Sequence, residues 1–226
     1  MSGDSVIRTR LRTPRAAAIA GVLFSALLIT SQLLVWISIP ANAVEAASEV
    51  ISQSHRISLA LNLLPFAGIA FLWFIAVIRD RLGTLEDRFF ATVFLGSGLL
   101  YVAMTFTSAA LAGGLIRVLS SSPDILRQTA AYTLSRAQIY QTMNVYGIKM
   151  AGVFMFSTST ILLRAGIVRR WIAFLGYGLG AVLLLSIGLI LWIPLVFPAW
   201  VLLLSIVILL ERRPVVASTP TAGVAS

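Results

Sequence analysis

Apolar residues fall in long runs along this chain, separated by short polar clusters rich in arginine. A hydrocarbon core about 30 Å thick takes roughly 20 apolar helical residues to cross. Six runs meet that length or come near it: 16–39, 57–78, 89–113, 143–163, 171–193 and 195–210. The pattern predicts an all-α polytopic membrane protein, a bundle of six transmembrane helices forming one domain over 16–213. Thr13 followed by Pro14 reads as a helix start, which leaves 1–15 as a basic cytoplasmic tail. Residues 214–226 are Ala, Thr, Ser, Pro, Gly and Val and read as a disordered cytoplasmic tail.

The connections refine this picture. Gly83 suits a helix C-cap, and Thr84 with Asp87 resembles a capping box opening the third span. Pro194 and Pro198 bracket the bend expected between the last two spans. Residues 41–56 are alanine-rich and carry Glu45 and Glu49, so a short helix is expected there. Ser122-Pro123-Asp124 is a strong helix start with no breaker until Gly166, isolated glycines apart. One helix over that stretch would be about 63 Å long, twice the membrane thickness. It either projects outside or bends near Gln141, making 122–141 an outer helical segment. A basic head, an apolar run and Ala41-Asn42-Ala43 also resemble a cleavable signal peptide. The run is too long for a typical signal core and more spans follow, so a retained first helix is the better reading.

Composition and charge support lipid as the solvent. Hydrophobic residues make up 59% of the chain and charged residues 11%, with a mean hydropathy of +0.97; soluble domains run about 25% charged. The net charge of +9 sits at the edges of apolar runs rather than on a basic face, which fits topology and excludes nucleic acid as a partner. One side collects Arg8, Arg10, Arg12, Arg15, Arg79, Arg81, Arg88, Arg164, Arg169, Arg170, Arg212 and Arg213. The other collects only Arg56, Arg117, Arg127 and Arg136. Positive charge stays inside, so both termini are placed in the cytoplasm. Without cysteine there is no disulfide, thiolate metal site or cysteine nucleophile.

Polar groups inside a bilayer are costly and therefore informative. Lys149 is the one cation well inside a predicted span. It either snorkels to the outer interface or faces the bundle and holds an anionic ligand, a lipid head group or an outer acid such as Glu45 or Glu49. Tyr132, Arg136, Tyr140 and Asn144 recur every four residues on one helix face. That row either lines a polar vestibule opening outward or is an ordinary interfacial helix end. Asn62 lies one turn before Pro65, and either bonds across helices at a kink or marks a hinge beside a cavity. Thr105, Thr107, Ser108 and the stretch from Ser157 to Thr160 are expected to bond back to their own helix. His55 has no acid or histidine neighbour within a turn and reads as solvated, with no metal site. Ala17, Gly21 and Ser25, and Gly176 with Gly180, form small-residue stripes for close packing or a homodimer.

All eight acids fall in loops or at helix ends, so no intramembrane carboxylate is available for proton coupling or metal chemistry. No catalytic or cofactor motif is present, and the chain reads as non-enzymatic. The segments 71–83, 86–98 and 162–176 resemble uncharacterised actinobacterial six-span membrane proteins and the DUF4386-type six-span family. The resemblance implies a bacterial inner membrane and six helices, and transfers no activity or site residues. Two functions are expected: an accessory or scaffold component binding membrane lipids, partner helices or a second copy; or a permease or binding protein for a small anionic or amphipathic molecule. The second would use Lys149, Asn144, Tyr140, Arg136 and Asn62.

Overall fold

A computed structural model describes residues 3–38, 53–82, 88–121, 130–166, 169–186 and 192–210. The described residues are helical with no strand. The helices are α1 (Gly3–Ser38), α2 (Ser54–Leu82), α3 (Arg88–Ser121), α4 (Ala130–Tyr140), α5 (Ile148–Arg164), α6 (Arg170–Leu185) and α7 (Ile193–Leu210). A π-helical segment, Gln141–Gly147, joins α4 to α5 in one continuous rod. Five stretches, Ala16–Ile37, Ser54–Arg79, Phe89–Ser121, Ala130–Arg164 and Ile193–Leu210, are long and apolar enough to cross a membrane. Large apolar side chains such as Leu23, Phe66, Trp73, Leu99 and Leu209 stand exposed on the outside of the bundle, as expected where lipid replaces water.

Several boundaries differ from the sequence reading. α1 begins at Gly3 and runs through Pro14; Arg and Leu are good helix formers, and no glycine stop separates Ser5 from Thr13. α3 extends past Gly113 to Ser121, because two adjacent glycines alone do not end a helix that has a neighbour to pack on. At Gln141 the chain widens into π turns and stays helical to Arg164. α6 stops at Leu185, short of the expected 193, where Ser186 turns to φ −62°, ψ 135°. Pro194 and Pro198 do not bracket a bend. Both lie inside α7, whose first residue is Ile193: Pro194 in the first turn gives up an N–H that had no partner anyway, while Pro198 leaves the Pro194 carbonyl without its helical donor. The start at Ser122, the turn 83–87, the segment 41–52 and the tail after 210 lie outside the described residues.

The core is aromatic and converges on Phe71 of α2. Its ring lies 4.5 Å from Phe24 of α1, 5.8 Å from Tyr101 of α3, 5.0 Å from Phe154 of α5 and 5.6 Å from Phe197 of α7, centroid to centroid. Most of these pairs are tilted or edge-on, the arrangement the ring quadrupoles favour. Five helices thus meet at one buried point. α1 packs along α2 and α7, while α5 packs against α3 and α6.

Both small-residue stripes are spent inside the chain. Ala17, Gly21 and Ser25 are buried, with Gly21 against Ser205 of α7 and Phe74 of α2. At the α5–α6 crossing a Cβ on Gly152 would lie 3.0 Å from the Gly180 carbonyl, and one on Gly180 would lie 3.1 Å from the Gly152 carbonyl. The two backbones therefore touch. Gly180→Leu should cost about 1–3 kcal/mol of stability through overpacking, seen as a lowered thermal unfolding midpoint in detergent. Gly178→Leu, where a Cβ meets nothing within 4 Å, should leave the midpoint unchanged; equal effects would contradict this packing.

Candidate functional site

One turn beyond the Phe71 cluster the helices part. A cavity of about 600 Å³ opens among α1, α2, α3, α4, the π segment and Pro194 of α7. That is within the range of ligand pockets, about 300–1,000 Å³. Its wall is largely apolar: Leu28 and Val35 from α1, Ile57 and Leu64 from α2, Ala109, Ala112 and Leu119 from α3. Its polar side comes mainly from one helix. Tyr132, Arg136, Tyr140 and Asn144, the row spaced by four in the sequence, all line it.

The π segment explains why the row stays together. In an α-helix a four-residue step overshoots one turn by about 40°, so three such steps would carry Asn144 well off the face that holds Tyr132. The last step, from Tyr140 to Asn144, enters the wider turns of Gln141–Gly147, which bring Asn144 part of the way back. α3 braces the widened turn: Ser108 Oγ donates to the Ile139 carbonyl at 3.2 Å, and Thr105 Oγ1 lies 3.8 Å from Met143 Sδ. Thr105, Thr107, Ser157, Thr158 and Thr160 do bond back to their own helix. Ser108 and Ser159 do not: Ser108 meets a carbonyl on the neighbouring helix, and Ser159 Oγ is buried without a hydrogen-bond partner among the described residues.

α1 supplies residues that the sequence reading passed over. Ser31, Gln32 and Trp36 line the cavity. Ser31 Oγ donates to the Ala60 carbonyl at 2.8 Å, tying α1 to α2. Gln32 Oε1 is buried and accepts no hydrogen bond from any described residue. The signal was available: a glutamine inside an apolar run is a polar group that needs a partner. Trp36 also meets Trp192 edge-on at 5.0 Å, closing the α1–α7 side.

Lys149 takes a different place. It is not among the cavity's lining residues. Its Nζ donates to the Leu184 carbonyl and, at 2.9 Å, to the Ser186 carbonyl. α6 has 16 residues, about 24 Å at 1.5 Å per residue, short of a 30 Å core. Its last carbonyls have no intrahelical partner, and in lipid no water replaces one. The lysine fills that role, aided by its charge at the negative end of the helix dipole. The Gly152–Gly180 contact brings α5 close enough to α6 for the side chain to reach.

Asn62 is separated from the row. It is exposed and lines a second cleft, of about 570 Å³, with Ser54, His55 and Ser58 of α2 and Gly113, Arg117 and Ser120 of α3. Among the described residues its amide makes no hydrogen bond across helices. Leu61 and Ile116 line both spaces. The five singled-out residues therefore divide among three places: the cavity, the second cleft and the end of α6.

Lys149→Met should remove the partner of two carbonyls and lower stability by about 1–3 kcal/mol, read as a fall in thermal midpoint, while molecules bound in the cavity are retained. A midpoint equal to wild type would contradict the capping role. No protein-family model, no curated protein and no solved structure matches this chain.

Proposed function

We propose that this chain is a non-enzymatic bacterial plasma-membrane protein that binds an amphipathic molecule in the cavity among α1, α2, α3 and α4. In this reading it crosses the membrane six times, α6 being a short sixth span, and keeps both termini in the cytoplasm, as the arginine distribution favours. The cavity then sits at the outer end of the bundle. The observation that carries the reading is the cavity's division into a long apolar wall and one polar face. An apolar body lies against Leu28, Leu64, Ala112 and Leu119, and the face formed by Tyr132, Arg136, Asn144 and the unpaired acceptor of Gln32 fixes its orientation. A handful of polar groups in an apolar pocket is how such sites fix orientation. Binding of lipid is favoured over binding of partner helices because the small-residue stripes are already buried within the chain.

Trp36 gives the site a reporter. A single-chain fatty acid brominated along its chain should quench the protein's tryptophan fluorescence saturably in detergent, and Trp36→Phe should remove most of the saturable part. Ala112→Phe, which narrows the cavity, should weaken binding roughly tenfold, about 1.4 kcal/mol. Absence of saturable quenching, or the same quenching in Trp36→Phe, would refute the reading.

A further inference from the structure

The second cleft lies between the N-terminal turns of α2 and the C-terminal turns of α3. A Cβ on Gly113 would meet only Leu61 Cδ1, at 3.9 Å, and one on Gly114 would meet nothing within 4 Å. The two backbones are therefore not closely packed at this level, and the gap is lined by hydroxyls, the Asn62 amide, the His55 ring and Arg117. No carboxylate is among the described residues lining it. The other described cations toward this end are engaged. Arg56 Nη1 donates to Gln53 Oε1 at 3.2 Å. The Arg136 guanidinium lies over the Tyr132 ring, 5.7 Å from its centroid. Lys149 holds the α6 carbonyls. Arg117 makes no ion pair among the described residues, and its planar fork matches the oxygens of a phosphate or carboxylate.

This cleft abuts the large cavity, since Leu61 and Ile116 form a wall common to both. We infer that the two spaces form one bipartite site: the anionic head group of a single-chain amphiphile, a phosphate or carboxylate, sits between His55, Asn62 and Arg117, and its chain passes Leu61 and Ile116 into the apolar cavity. The inference rests on the cavity reading above and adds the charge class of the ligand. Asn62, Ser54 and Ser58 donate to the head-group oxygens, and Arg117 supplies the charge; the Ser120 hydroxyl already donates to the Ile116 carbonyl at 2.9 Å. Pro65 frees the Leu61 carbonyl from its helical bond, which gives the polar margin one more acceptor for a hydroxyl near the head group.

The test is a binding series on the full-length protein in neutral detergent. The probes are hexadecyl phosphate, hexadecanol and inorganic phosphate, each in competition with the brominated fatty acid. Hexadecyl phosphate should bind at least tenfold more tightly than hexadecanol. Arg117→Gln combined with His55→Gln should erase that advantage while leaving hexadecanol binding unchanged, which also shows that the variant is folded. Gly113→Leu, which fills the cleft without a backbone clash, should do the same. Inorganic phosphate alone should not compete at millimolar concentration. The inference is overturned, with the cavity reading intact, if phosphate and alcohol bind equally, if Arg136→Gln rather than the Arg117 variant removes the preference, or if inorganic phosphate competes as well as the amphiphile. Failure of both amphiphiles to bind wild type would overturn the cavity reading and this inference together.

Discussion

The ring of Phe71 is the point on which the bundle turns. Four other helices, α1, α3, α5 and α7, each place an aromatic ring within 6 Å of it. Helices in lipid gain little from apolar burial as such, because the tails outside are as apolar as the core. What holds them is close packing and the geometry of rings and small residues. At Phe71 that packing is dense, so the helices are pinned there. Toward the other end they are free to part, and the cavity begins one turn on, at Leu28 after Phe24 and at Thr105 after Tyr101. The tight waist is thus the cause of the open end.

Two departures from regular helix shape the site. The π segment keeps Tyr132, Arg136, Tyr140 and Asn144 on one wall, and the same change of phase turns Lys149 toward α6. α6 ends early, and that ammonium supplies a donor to the carbonyls of Leu184 and Ser186 at its end. A glycine pair allows the approach. One irregularity in the rod from Ala130 to Arg164 therefore serves both the cavity and the end of a neighbouring helix. Ser108 on α3 accommodates it by reaching across to Ile139.

The all-helical character and the existence of the apolar helices were legible because a run of about 20 apolar residues has few other uses. The polar row on α4 was legible for the same kind of reason: four-residue spacing puts side chains on one face, and all four line one cavity. The role of Lys149 was not. A sequence shows that a lysine lies deep in a span, but its partner is the end of another helix, whose early stop at Leu185 leaves no mark in a run that stays apolar to Ile193. The π turn was equally hidden, since Gln141–Gly147 contains nothing that excludes ordinary α-helix. Asn62 was read against Pro65 in its own helix, whereas its place depends on how far α3 extends beyond Gly113. Gln32 was legible by the same cost argument, as an amide inside an apolar run.

The account stands or falls on whether the cavity holds a molecule. Native mass spectrometry of the protein, extracted under mild conditions from its own membrane, measures that directly. The account predicts an amphipathic molecule bound one to one, kept in Lys149→Met and lost in Ala112→Phe. A protein that carries no bound molecule, or one that keeps it equally in Ala112→Phe, would contradict it.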